Sequence, residues 1–139
     1  DFCLSRGLGD VYKRQPVAFG HDCVMDPWYS LGSGDMLEVA HMGLHVAQMT
    51  GQDAMRACFQ AVTATPAAIL GLDDTGLAVG KRADLVLLQA RDPVEALRLR
   101  ATRLMVLRAG NVVATTPPAT ATLNLPGRPA QVSFQTPAR

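Results

Sequence analysis

The sequence predicts an α/β chain in two parts: the closing strand, loop and helices of an α/β layer, then part of a small β-sandwich. Three observations carry that prediction. A short apolar segment, Val17-Ala18-Phe19, runs into the turn-rich, acid-bearing stretch Gly20-His21-Asp22-Cys23-Val24-Met25-Asp26-Pro27-Trp28. Apolar residues then recur at helical spacing through the next few dozen residues. Beyond Asp73, short strand-like runs follow glycine-containing turns with little helical cover.

Each element has its own justification. Residues 1–15 show neither helical nor strand periodicity and look like a translated adaptor or vector remnant, with a native loop as the alternative, so they are set apart from the fold. Pro16 to Phe19 reads as a short buried strand with proline in its first position, where a missing donor is tolerated. Gly20 to Gly34 is loop, with Asp26-Pro27 and Gly32-Ser33-Gly34 as turn chemistry. Asp35 and Glu38 form a capping-box pattern ahead of the face Met36, Leu37, Val39, Ala40, Leu44 and Ala47, and Gly51 closes that helix. A second helix is expected from Asp53 to Val62, and Thr65-Pro66 opens a short third one ending at Gly71.

The second part begins with Gly76 and Gly80 as turns and Ala83 to Leu88 as a strand. Asp92 to Leu97 is at most a short helix. Leu104 to Arg108 and Val112 to Ala114, joined by Ala109-Gly110-Asn111, read as a β-hairpin. An edge strand near Thr122 to Leu125 precedes a Pro- and Thr-rich tail. The expected organisation is thus 1–15 leader, 16–72 end of an α/β layer, 73–125 part of the β-sandwich and 126–139 tail.

The 139 residues have the length of one ordinary domain, well short of the about 250 that a complete (β/α)₈ barrel takes. With 48% hydrophobic and 18% charged residues and a net charge of +1, the composition predicts attraction neither to nucleic acid nor to a membrane surface. Arg98, Arg100, Arg103 and Arg108 lack interleaved aromatics for stacking bases and read as a solvated face. Cys3, Cys23 and Cys58 are an odd count without CxxC spacing, which argues against a disulfide framework or zinc knuckle and for a reducing, cytoplasmic setting. No apolar run approaches the about 18 residues of a membrane span.

Asp22 is the leading candidate for chemistry. A carboxylate just after a strand is how α/β barrels present catalytic groups, and it can ligate a divalent metal and accept a water proton. Alternatively, Asp22 merely caps a turn. Trp28, the single tryptophan, offers a flat wall for a planar substrate, or a loop anchor. His41 and His45 lie four apart on one helix face, but Met42 stands where the zinc-helix motif requires glutamate, so structural histidines are favoured. Cys58 reads as core.

These stretches resemble the carboxy-terminal part of the bacterial cytosine deaminases of the amidohydrolase superfamily. The carrying residues are Phe19-Gly20-His21-Asp22, Asp26-Pro27-Trp28-Tyr29, Leu31-Gly32, Met36-Leu37 and His41-Met42-Gly43-Leu44-His45. A second signature follows in Thr65-Pro66-Ala67-Ala68-Ile69-Leu70-Gly71 and Gly76 to Val86, which marks the superfamily but not the substrate. The likeness runs from about Pro16 to near Leu125.

The resemblance implies the last strand and following helices of a (β/α)₈ barrel, with Asp22 as a ligand of one catalytic divalent metal, Fe²⁺ or Zn²⁺, and as proton acceptor. Trp28 would wall the pocket of a small pyrimidine substrate. A metal-bound hydroxide would attack the amidine carbon and ammonia would leave. The family's other metal ligands and its glutamate acid match nothing in this chain, so the polypeptide alone is expected to be inactive. Cys23 stands where the family commonly has an acid, beside the five-position of the pyrimidine ring. A smaller, apolar thiol there predicts a preference for a five-substituted cytosine. Substrates such as isoguanine, creatinine or a triazine remain open, as does a homo-oligomeric parent. The competing class is a non-catalytic α+β module that binds a partner through the apolar helix from Met36 to Met49.

Overall fold

A computed structural model describes residues 16–135; the leader-like residues 1–15 and the last four residues lie outside the described part. The chain is mixed α/β with small antiparallel sheets. It divides into two compact units, one ending at Thr75 and the next beginning at Gly76.

The first unit is helical: α1 (Met36–Val46), α2 (Gln52–Gln60) and α3 (Ala64–Ile69). Asp35 caps α1 as expected, its Oδ1 accepting the N–H groups of Leu37 at 2.7 Å and Glu38 at 3.3 Å. The reciprocal half of the capping box is relayed. The Ser33 hydroxyl donates to Glu38, and Ser33 Oγ accepts the Asp35 N–H at 3.1 Å. Leu37, Ala40 and Leu44 form the buried stripe of α1. Small residues allow α2 to come close, and the buried Cys58 thiol donates to the Ala40 carbonyl at 3.0 Å.

Three expectations change here. Pro16 to Phe19 is not a strand. A strand needs a neighbour for its ladder, and instead the Phe19 N–H docks on the Ala61 carbonyl at 2.9 Å, at the end of α2. Gly51 does not close α1; it is the N-cap of α2, with φ −74°. The closing residue is Gln48, left-handed at φ +55°, with Met49 N–H reaching the Leu44 carbonyl and Gln48 N–H the His45 carbonyl. This is a Schellman motif without glycine. Finally, α3 begins at Ala64, so Pro66 is its third residue, where an N–H would still be an orphan. Gly71 ends α3 at φ +65° in the same motif.

The second unit holds β1 (Leu85–Leu88), α4 (Pro93–Leu99), β2 (Arg103–Arg108), β3 (Asn111–Thr115), β4 (Ala121–Thr122) and β5 (Gln131–Val132). The first three strands form an antiparallel sheet in sequence order, with Leu85 opposite Leu107 and Val106 opposite Ala114. Asp92 caps α4 through the Glu95 N–H, and Pro93 occupies the first turn. Arg100, at φ +46°, ends the helix in another glycine-free Schellman motif. The buried face is Ala96, Leu97 and Glu95, whose carboxylate accepts the Arg91 N–H and lies near the Arg91 and Arg98 guanidiniums.

The hairpin turn is tighter than expected: Ala109 and Gly110 alone form it, both at positive φ, as a type I′ turn requires. Asp84 holds it. One carboxylate oxygen accepts the Ala109 N–H at 2.7 Å, the other Arg82 at 2.9 Å and Arg108 at 2.5 Å. The Ala109 N–H, then the charges of Arg108 and Arg82, hold its carboxyl below the usual range in spite of partial desolvation. Past Leu125 the chain is not only tail. β5 pairs with β4, and the Gln135 side chain donates to the Gln89 carbonyl.

Candidate active site

The loop from Gly20 to Gly34 carries Asp22, Cys23 and Trp28, and one imidazole ties its ends together. His21 Nδ1 donates to the Cys23 carbonyl at 3.0 Å, while Nε2 accepts the Gly34 N–H at 3.1 Å. A peptide N–H can only donate, so these partners select the neutral Nδ1–H tautomer. Gly32 is buried beneath the clip. A Cβ there would meet the Cys23 carbonyl oxygen, His21 Cε1 at 2.7 Å and Val24 Cα at 2.9 Å.

Asp22 sits at φ +65°, a left-handed conformation that aspartate tolerates better than most residues. It is exposed, and among the described residues no hydrogen bond engages its carboxylate. It does not follow a strand, because residues 16–19 form none.

Cys23 is half-buried. The influence of the Asp26 carboxylate, then desolvation and the Asp22 charge, push its thiol up and keep it protonated. A thiolate nucleophile is therefore disfavoured here.

Asp26 organises the turn. Its Oδ1 accepts the N–H groups of Trp28 at 2.9 Å and Tyr29 at 3.1 Å. Desolvation opposes the charge on Asp26, but the Trp28 and Tyr29 bonds, with those of Cys23 and Val24, hold its carboxyl below the ordinary value. The indole of Trp28 is 89% exposed on this turn. Asp22, Cys23 and Trp28 thus share one loop, yet none lines the nearby cleft of about 470 Å³, which lies among Phe19, Tyr29, Leu31, Met42, Gly43 and Val46.

His41 and His45 meet edge to face, with ring centroids 4.7 Å apart. Among the described residues, no three His, Cys, Asp or Glu side chains converge as a metal site would require. No described helix is long and apolar enough to cross a membrane. Two contributors to this loop were not singled out as site residues from sequence: His21 and Gly32. The glycine triplet was a visible signal but pointed to turn chemistry, whereas the constraint at Gly32 is steric.

The model of the Amidohydrolase family matches residues 11–114, well over half of the chain. This chain belongs to the amidohydrolase family. It is 36% identical over 99 residues to a pterin deaminase of Rhizobium rhizogenes (strain K84), covering 70% of this chain and 22% of that protein. It is 30% identical over 93 residues to the N-isopropylammelide isopropyl amidohydrolase of Pseudomonas sp. (strain ADP), covering 66% and 23%. Among solved structures, 5-methylcytosine deaminase from Klebsiella pneumoniae, liganded with phosphonocytosine, matches with a TM-score of 0.77 and 34% identity. That match covers 87% of this chain and 29% of the other. The chain therefore spans less than a third of the length of these amidohydrolases.

The family generally uses a divalent metal. The described residues fit such an ion only in part. Asp22 offers one exposed, unengaged hard oxygen donor, and the remaining donors of a complete site are not among them.

Proposed function

We propose that the complete protein containing this chain is a hydrolase that cleaves an exocyclic C–N bond of a cyclic amidine, with cytosine or a five-substituted cytosine as substrate. In this reading residues 16–72 are the closing loop and helices of a (β/α)₈ barrel, and 73–125 are part of the small β-sandwich. The protein works in the cytoplasm on a small-molecule base. The reading calls for one divalent ion, Fe²⁺ or Zn²⁺, for which Asp22 would be this chain's ligand. When bound, the ion supplies an acidified water at neutral pH.

The work of this chain's residues follows from their chemistry. Asp22 takes a proton from the attacking water onto a carboxylate oxygen as the C–O bond forms at the amidine carbon. A separate acid, outside this chain, protonates the ring nitrogen. The proton held on Asp22 then passes to the amino group, which leaves as ammonia as the C–N bond breaks, while the new hydroxyl returns its proton to the acid and becomes the carbonyl. Trp28 provides a flat apolar wall for the planar base. Cys23, held protonated and neutral, borders the five-position, where a methyl group meets sulfur rather than a carboxylate.

The observation that carries this reading is the clipped loop itself. It presents an unengaged carboxylate, a neutral thiol and an exposed indole within seven residues, in a chain one-third identical to a 5-methylcytosine deaminase. The test is amine release by the complete protein from cytosine, 5-methylcytosine, a pterin and N-isopropylammelide. The pterin is included because a relative of that activity is 36% identical. Turnover of the two cytosines should exceed that of the others, and Asp22→Asn should lower kcat by about 10²–10⁴-fold, the range of a lost general base. Cys23→Asp should shift preference from 5-methylcytosine toward cytosine. Activity only on the pterin, or full activity in Asp22→Asn, would overturn the reading.

A further inference from the structure

We propose that His21 is a positioning residue, an imidazole brace that sets where the Asp22 carboxylate points; this rests on reading Asp22 as a reaction-site group. The loop that carries Asp22 has no helix or strand from Gly20 to Asp35, and loops of that length hold one conformation only when something imposes it. Asp22 and Met25 both occupy left-handed backbone, at φ +65° and +51°. Non-glycine residues persist there when their surroundings over-determine them.

The His21 ring provides that determination at both flanks. Its Nδ1–H holds the carbonyl of Cys23, immediately after Asp22. Its Nε2 holds the N–H of Gly34, thirteen residues away and next to the Asp35 cap of α1. The Asp22 backbone is thereby referenced to the start of a helix, through a single ring that must donate at one nitrogen and accept at the other. Gly32 closes the underside, since any side chain there would strike the ring and the Cys23 carbonyl. His21 and Gly32 also border the nearby cleft, but the brace acts on the reaction through the Asp22 carboxylate.

The experiment is a double-mutant cycle in the complete protein, on whichever substrate it turns over. His21→Ala should lower kcat tenfold or more while KM changes less than about threefold, because misplacement by about 1 Å costs rate rather than ground-state binding. In an Asp22→Asn background His21→Ala should cost nothing further. His21→Gln, whose amide offers a donor and an acceptor, should recover part of the loss. Should His21→Ala fail to fold, His21→Asn keeps the donor to Cys23 but cannot reach Gly34, and its kcat carries the same comparison. A His21 variant with wild-type kcat, or losses that multiply in the double variant, overturns the brace while leaving the Asp22 reading intact. Full activity of Asp22→Asn overturns both.

Discussion

Replacing Gly32 by alanine tests whether the loop geometry governs the reaction. The added Cβ would stand 2.7 Å from His21 Cε1 and 2.9 Å from Val24 Cα, and it would also collide with the Cys23 carbonyl oxygen. Carbon atoms rest at about 3.5–4.0 Å, so the chain must open by about 0.8 Å or more to admit the methyl. Two of the three obstacles are backbone, which cannot swing aside as a side chain can. Overpacking of this kind costs about 1–3 kcal/mol. The displacement falls on Cys23 and the His21 ring, the two groups flanking Asp22, and a shift near 1 Å at a reacting group lowers rate by about 10²-fold. The assay is kcat for amine release by the complete protein, beside its thermal midpoint. Gly20→Ala is the control, since nothing lies within 4 Å of its Cβ position. If Gly32→Ala matched wild type in kcat and thermal midpoint, the steric reasoning would be refuted.

Other consequences concern the second unit and the helix ends. Gln48 and Arg100 occupy left-handed closing positions that glycine fills at Gly71. Gln48→Gly and Arg100→Gly should each raise stability by about 0.5–1 kcal/mol and Gly71→Ala lower it by about 1 kcal/mol, read from denaturant midpoints. Asp84 has a lowered pKa in the fold, so its stabilisation is complete above the ordinary carboxylate value and drains away as pH falls through the lowered one. Between about pH 5 and pH 2 the wild type should therefore lose more stability than Asp84→Asn, in which that proton linkage is gone. Parallel pH profiles for the two would contradict the role of Asp84 at the hairpin turn.

Much of the local structure was legible in the residues. Asp35 announced a helix start because a short acceptor side chain satisfies orphan N–H groups where it precedes a helix. The segment from Asp92, read as at most a short helix, is an α-helix from Pro93 to Leu99 with Asp92 as its cap. The hairpin was legible from two β-rich runs around a glycine. The strand expected at Pro16–Phe19 was not realised, since apolar character does not supply the neighbouring ladder. β5 escaped notice because a two-residue pairing leaves no periodicity. The glycine-free ends of α1 and α4 were invisible for a related reason: backbone hydrogen bonds hold the exposed Gln48 and Arg100 where propensity disfavours them.

At the loop, the sequence by itself determined the chemical inventory: a carboxylate, a thiol, an indole and the Asp26-Pro27 turn, in an order shared with a family. Side-chain chemistry is local and survives in a string of letters. Only the tertiary structure decided that His21 reaches Gly34, that Gly32 has no room for a methyl group, and that Asp22 is left-handed and exposed. Those facts are distances between residues up to thirteen apart, and contact across a folded loop is set by packing rather than by composition.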